Sequence, residues 1–470
     1  VHPTLNRSLS PREAARIQSF PDNHVFAGSR RMQCILVGNA VAPMVAANIG
    51  KEIKKHILNT SYKGVNKALI KEKSSIDLVN KRDILSQNVL KRDAPTFIDL
   101  FSGAGGFTIG MNQAGFKPLL DADFDQSVKK THEFNYGNLK YIHGDLSKPK
   151  IKKSLLKELG NQKVNLIVGG PPCQGFSIFG NRRFVNTQNY NPKSDPRNKL
   201  VFTFFDYVKL IQPDWFIMEN VAGFKSLDQG NFVKKLESYV KKLGYTNYDF
   251  RILNTADYGV PQKRKRFIFI GNRTGHIIPW PKPKYFDDPK EWQLPYRTVG
   301  EVITDLAEDN ASHYVANHEP MNHSLDIKER YSYVEEGKKM DVEKLPTKLQ
   351  YAKHTGKKIK NFSHVYRRLH RKEAAITLVP GHNAFPIHPH LNRLITNREA
   401  ARIQTFPDKL IFQGSSKEQC TQIGNAFPPL MAHRLGEVIL KTIKNNWKPG
   451  KESKLSKYSI LDKWYVKEID

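Results

Sequence analysis

The sequence predicts an α/β protein built on a doubly wound, mostly parallel sheet, with a smaller irregular segment set apart from it. Three observations carry that expectation. Short apolar runs alternate with helix-patterned stretches between residues 96 and 271. A Gly-rich turn, Ser102-Gly-Ala-Gly-Gly106, separates the first such run from the first helix pattern, at the position where open α/β sheets bind nucleosides. The alternation then stops from about Thr274 to Val379, where prolines, aromatics and scattered histidines take over.

Pro95-Thr-Phe-Ile-Asp-Leu-Phe101 is the first strand, apolar and too short for a helix. Thr108 to Ala114 continues from the Gly-rich turn as a helix. Next come a strand at Lys117 to Asp121, a helix at Ser127 to Asn135, a strand at Leu139 to Ile142 and a helix at Ile151 to Leu159. Val164-Asn-Leu-Ile-Val168 reads as a buried parallel strand. Arg197 to Leu210 is a helix, Trp215-Phe-Ile-Met218 another buried strand, and Phe232 to Lys242 an amphipathic helix. Tyr248 to Leu253 and Arg266-Phe-Ile-Phe-Ile270 complete the sheet.

A length of 470 residues leaves room for two or three domains, and the start at Val1 is read as a position inside a longer polypeptide. Lys and Arg number 75 against 45 Asp and Glu, a formal charge of +30. That excess favours a polyanionic partner such as nucleic acid, although a solvated lysine-rich surface gives the same count. Three cysteines, Cys34, Cys173 and Cys420, argue against a disulfide framework or a Cys-rich metal site and fit a reducing cytoplasm. His313, His318, His323, His354 and His364 are too widely spaced to suggest a metal, and none is expected. No apolar run approaches the roughly 20 residues of a membrane span, so no membrane partner is expected.

The first fifty residues recur near the carboxyl end at a constant offset of 386. Arg12-Glu-Ala-Ala-Arg-Ile-Gln18 is identical to Arg398-Glu-Ala-Ala-Arg-Ile-Gln404, and Gly38-Asn-Ala40 matches Gly424-Asn-Ala426. Nothing recurs between the copies, so this is a duplicated module and no solenoid. Each copy reads as a short helix, a Phe-Pro-Asp turn, a loop, and a second helix after Gly-Asn-Ala. The domain reading is 1–57 for the first module, 58–94 for a lysine-rich linker and 95–273 for the main sheet. It continues with 274–380 for the irregular segment, 381–446 for the second module and 447–470 for a basic tail.

The chemistry centres on Val168-Gly-Gly-Pro-Pro-Cys-Gln-Gly-Phe-Ser177. Glycines permit close backbone approach and prolines fix φ, so the Cys173 thiol is held rigidly at a strand's carboxyl end. A structural cysteine in a turn is the bland alternative. Asp123 follows the second strand, 20 residues after Gly103, where a carboxylate can accept ribose hydroxyls. Asp145 follows the third strand and can accept from an adenine amino group, with Phe124 stacked on the ring; each acid alone also suits a helix cap. Glu219 closes an apolar strand, where a carboxylate must be protonated or paired. In the extended run Gln262-Lys-Arg-Lys-Arg266, alternate residues share a face, so Gln262, Arg264 and Arg266 point together.

Pro171-Pro-Cys-Gln174 followed by Gly-Phe-Ser177, Glu219-Asn-Val221 and the Gln-x-Arg-x-Arg spacing together resemble the DNA (cytosine-5) methyltransferases, bacterial restriction-modification type. The resemblance covers residues 96–271 and about 373–440, with both end modules similar to the family's carboxyl-terminal part. It implies a methyltransferase fold with S-adenosyl-L-methionine as cofactor, bound by Phe101, Ser102, Gly103, Gly105, Gly106, Asp123, Phe124, Asp145, Leu146, Pro171, Asn425 and Ala426. It makes Cys173 the nucleophile at cytosine C6. Glu219 is then the partner of N3, Arg264 the contact to O2, and Arg266 a support. Double-stranded DNA is the implied partner, contacted by Gln174, Ser177, Arg182, Arg183 and Gln262, with the target base flipped out and the segment 274–380 reading sequence. A cognate restriction endonuclease and a bacterial cytoplasmic, nucleoid-associated setting follow from the same resemblance. Residues 1–57 read either as the tail of a second methyltransferase unit fused upstream or as a permuted copy serving this core. Three rivals are an RNA cytosine methyltransferase, a non-catalytic DNA-binding protein and a nicotinamide-dependent oxidoreductase.

Overall fold

A computed structural model of the chain describes residues 2, 7–22, 24–59, 83–85, 93–172, 200–307, 315–351, 356, 358–359, 366–381 and 385–448. Seven strands form the sheet: β1 (Thr96–Leu100), β2 (Lys117–Asp123), β3 (Lys140–His143), β4 (Leu166–Gly169), β5 (Trp215–Val221), β6 (Asn247–Asn254) and β7 (Lys265–Asn272). Their order is β3-β2-β1-β4-β5-β7-β6. Neighbours from β3 to β5 pair in parallel, and β7 runs antiparallel to both β5 and β6. The order reverses between β1 and β4, so a cleft opens outside their carboxyl ends. The Gly-rich turn leaves β1 there, and Gly170-Pro-Pro172 leaves β4.

The apolar runs become strands because both sheet faces are covered. Ile98, Leu100, Ile167, Phe204, Phe205, Phe216 and Phe269 fill one layer. Phe97, Leu166, Val168, Trp215 and Ile217 face the other, against Met431, Leu435 and Ile439 of the helix Pro429–Lys444. That helix lies on the helix Gly106–Ala114, and glycine sets how closely. A Cβ at Gly110 would meet Pro429 O at 2.3 Å and His433 N at 2.7 Å, and one at Gly106 would meet Phe427 O at 1.9 Å. Gly→Ala inside a helix ordinarily stabilises by about 1 kcal/mol. Here the added methyl has backbone in its way, so Gly110→Ala is expected to destabilise by about 1–3 kcal/mol instead. Urea unfolding midpoints of the two proteins check the sign.

Both copies of the repeat fold alike: Pro11–Ile17, Arg30–Asn39 and Pro43–Asn59 in one, Asn397–Ile403, Ser416–Asn425 and Pro429–Lys444 in the other. Their internal ion pairs match, Arg7–Glu13 at 2.7 Å with Arg393–Glu399 at 2.6 Å, and Arg16–Asp22 at 2.7 Å with Arg402–Asp408 at 2.6 Å. The stretch expected as a loop before Gly-Asn-Ala is a helix in each. Its start is fixed by Ser415, which caps Glu418 N while the Glu418 carboxylate returns to Ser415 N, and by Ser29 at the same place in the first copy.

The irregular segment builds a small core from Tyr331, Val334, Met340, Leu345 and Leu349, completed by Ile387 and Leu394 from beyond residue 380. Buried Arg368 ties it together by donating to the carbonyls of Tyr331, Val334, His388 and Leu391. Within the expected linker, Ile84 and Leu85 pack into the main body, and Ile84 N donates to Asn135 O at 3.0 Å. Contrary to the sequence expectation, one stretch, Arg30–Lys54, reaches the length and mean hydropathy (1.5) of a membrane-crossing helix. Ala40, extended at ψ 143°, divides it.

Candidate active site

β4 and β5 lie side by side with Gly169 opposite Met218, which brings the root of the Cys173 loop next to Glu219. Gly170 is small for a reason. A Cβ there would stand 2.9 Å from Glu219 Oε2, in the carboxylate's own space. Asn220, buried beside it, donates from Nδ2 to Pro171 O at 3.2 Å and so fastens the loop to the strand. Sequence reasoning missed Asn220, although its place inside Glu219-Asn-Val221 was a signal. Cys173, Gln174, Ser177, Arg182 and Arg183 lie outside the described residues.

Arg266 Nε meets Glu219 Oε1 at 2.7 Å, with the two side chains 12% and 14% exposed. Burial pushes the Glu219 carboxyl up, and Arg266, then Arg264, pull it back. Burial lowers the Arg266 guanidinium while Glu219 holds its charge. The alternating face of Gln262, Arg264 and Arg266 exists, with Lys263 and Lys265 turned to solvent, but the roles within it need correcting. Arg264 is 1% exposed, and its Nη1 and Nη2 donate to Leu378 O and Gly424 O, both at 3.0 Å. It fastens the carboxyl-terminal module to the sheet, and Arg266 is the arginine beside Glu219. Gln262 is fully buried and accepts from Leu378 N at 3.2 Å, so it has no surface to offer DNA.

The wall over β1 and β2 fits the expected nucleoside donor in part. Phe101 adopts φ +58°, a left-handed turn that takes the chain sharply away from the strand. Ser102 Oγ is buried without a hydrogen-bond partner in the described structure. Gly103, at φ +51°, has open space where a side chain would stand. Asp123 accepts from Gly103 N at 3.0 Å, shaping the turn, while Phe124 beside it is 66% exposed. Gly105 and Gly106 answer to packing, because Cβ atoms there would strike Tyr136 Oη and Phe427 O. Asp145 accepts from Ser147 N and Oγ in a local turn that holds its carboxyl below the usual range. Leu146 is buried and Tyr207 donates to its carbonyl at 3.0 Å. Asn425 is exposed next to buried Ala426, directly after the carbonyl that Arg264 holds. An orphaned hydroxyl, an open glycine and an exposed aromatic ring therefore meet at the carboxyl ends of β1 and β2.

Beneath this wall, Thr108 Oγ1 lies 3.0 Å from Asp99 Oδ2 and 2.8 Å from Asp121 Oδ2, all three buried. One hydroxyl proton serves one carboxylate, and His132 Nε2 stands 3.4 Å from the Asp121 carboxylate on its other side. Burial, then repulsion from Asp121, pushes the Asp99 carboxyl well up. A raised folded value means that the native state binds more protons than the unfolded chain above about pH 3.9, so stability falls as pH rises towards that raised value. Asp99→Asn is expected to flatten this loss, read from urea midpoints measured between about pH 5 and pH 8.

A sheet of this order, with an open wall over the carboxyl ends of β1 and β2 and a paired glutamate on β5, is the framework of an S-adenosylmethionine-dependent methyltransferase. A solved structure of a prophage-encoded E. coli protein, described as a DNA modification methyltransferase, shares the fold with a TM-score of 0.53 and 24% identity, over 75% of this chain and all of that one. The family model for C-5 cytosine-specific DNA methylases matches residues 1–55 and 95–441, and the chain belongs to that family. It is 36% identical over 354 residues to the type II methyltransferase M1.HphI of Haemophilus parahaemolyticus, covering 74% of this chain and 88% of that protein. It is 33% identical over 385 residues to M.DdeI of Desulfomicrobium norvegicum, covering 73% and 88%. The protein is a DNA (cytosine-5) methyltransferase with S-adenosylmethionine as methyl donor.

Proposed function

We propose that Cys173 adds to C6 of a cytosine flipped out of duplex DNA, while Glu219 and Arg266 hold the ring. The observation that carries this reading is the largely buried Glu219–Arg266 pair at the root of the Cys173 loop. Cytosine C5 is a weak nucleophile, and thiolate addition at C6 makes it enamine-like. S-adenosylmethionine supplies the electrophilic methyl group. Glu219 shares a proton with ring N3 as charge develops, and Arg266 faces O2. A base then takes the C5 proton and the Cys173–C6 bond breaks. Ser102, Gly103, Asp123 and Phe124 would hold the donor's nucleoside. Gln174, Ser177, Arg182 and Arg183 would contact the DNA around the vacated stack. The type II relatives support a role in a bacterial restriction-modification system with a cognate endonuclease. Our reading adds nucleoid DNA in the cytoplasm as the place of action, and a second methyltransferase unit as the owner of the first module.

Incubating the enzyme and S-adenosylmethionine with duplex carrying 5-fluorocytosine at the target is expected to leave a covalent protein–DNA adduct through Cys173, since fluorine blocks the final elimination. Absence of the adduct from a preparation that methylates ordinary DNA, or methyl transfer by Cys173→Ala at the parent rate, overturns the mechanism.

A further inference from the structure

The first module presents an apolar face that the described chain leaves uncovered. Val41, Met44, Val45, Ile49 and Ile53 are 68%, 65%, 51%, 55% and 53% exposed. A contiguous patch of this kind marks an interaction surface, and the second module shows what covers it. Met431, Leu435 and Ile439, each 386 residues after Val45, Ile49 and Ile53, are 1%, 0% and 0% exposed against the sheet and the helix Gly106–Ala114. Gly436 allows that contact, since a Cβ there would meet Ala114 Cβ at 2.6 Å, and its counterpart Gly50 has nothing within 4 Å. The same contrast holds for Ile17 at 73% against Ile403 at 0%. The module has kept the shape and the glycine of a docked closing element, without the surface on which such an element docks.

This chain's own core is not that surface, because Pro429–Lys444 occupies its slot at backbone distance from Gly106 and Gly110. A bilayer matches the apolar residues less well. The stretch breaks at Ala40, and Lys51 and Lys54 stand exposed beside Ile53. Resting on the methyltransferase reading above, we propose that residues 7–59 close the cofactor pocket of a second cytosine methyltransferase core, seating the Val45–Ile49–Ile53 face on that core's first helix.

Two measurements test this. In the full chain, Val45→Glu/Ile49→Glu/Ile53→Glu is expected to leave this enzyme's own methyl transfer within about twofold, as for surface changes away from the site. A loss of tenfold or more would mean that the module serves its own core and would sink the proposal. As the probe core we use this same chain with its own first module disabled by Ile49→Glu/Ile53→Glu and its slot opened by Leu435→Glu/Ile439→Glu, or by Gly436→Leu, which keeps the apolar face but forces the helix off. Each is mixed with a Cys173→Ala chain as donor of the first module. Native mass spectrometry is expected to show a one-to-one complex, and methyl transfer to DNA to return to at least about a tenth of the parent rate by mass action. Both effects should vanish when the donor carries Ile49→Glu/Ile53→Glu. No complex with either probe, when both show a cooperative unfolding transition, overturns the proposal. So does self-association of the parent chain, or binding to anionic vesicles, that Ile49→Glu/Ile53→Glu abolishes. Failure of the parent chain to methylate DNA, while the opened probe still forms the complex, refutes the catalytic reading and leaves the docking standing.

Discussion

Glu219→Gln is expected to slow methyl transfer on the order of 10²–10⁴-fold, the range for losing a positioned proton-transfer group, while DNA affinity changes little. The substitution keeps the shape and removes the charge that faces Arg266 at 2.7 Å. It therefore also leaves a buried guanidinium unpaired, and stability should drop towards the lower end of the about 3–5 kcal/mol seen when one partner of a buried pair is lost. The two effects separate in the double variant Glu219→Gln/Arg266→Met, which is expected to regain stability without regaining rate. Single-turnover transfer of labelled methyl groups and urea unfolding, run on the same preparations, read both. A single variant that transfers at the parent rate would remove Glu219 from the chemistry.

Arg264→Met is expected to be the most destabilising change at the edge of the site. The buried carbonyls of Leu378 and Gly424 each lose a charged donor at 3.0 Å, and each orphaned group costs about 1–3 kcal/mol. Gly424 leads directly into Asn425 and Ala426, so loosening it should also weaken retention of S-adenosylmethionine. Arg264→Lys is not expected to rescue, because one ammonium cannot span two carbonyls as a planar fork does. Thermal unfolding with and without S-adenosylmethionine checks both points. A variant as stable as the parent would return Arg264 to the substrate-facing role that its spacing first suggested.

That reversal shows where the sequence was legible and where it was not. Strands at Val164–Val168, Trp215–Met218 and Arg266–Ile270 could be read because both faces of the sheet are dry, so apolarity alone marks them. Alternation correctly put Gln262, Arg264 and Arg266 on one side. A two-residue period says which residues share a face but nothing of what lies opposite, and here Leu378 and Gly424 come in from more than a hundred residues away. Two of the three turn glycines show the same limit: Gly105 and Gly106 look like ligand glycines, yet Tyr136 and Phe427 demand them. The helix at Ser416–Asn425, expected as a loop, carries its own local signal in the capping box Ser415-x-x-Glu418. The repeat was plain in the sequence. That one copy is clothed and the other bare depends on contacts no alignment of the copies contains.

The seam between Gly106–Ala114 and Pro429–Lys444 joins segments more than 300 residues apart along the chain. A ribosome must therefore translate more than 300 residues beyond the Gly-rich turn before the wall behind it exists, and ordering by such distant contacts is slow. Stalled nascent chains ending ahead of Pro428 should not retain the methyl donor, and those extended past Lys444 and clear of the exit tunnel should. A half-made core is thereby kept from methylating host DNA, since competence waits for the helix Pro429–Lys444.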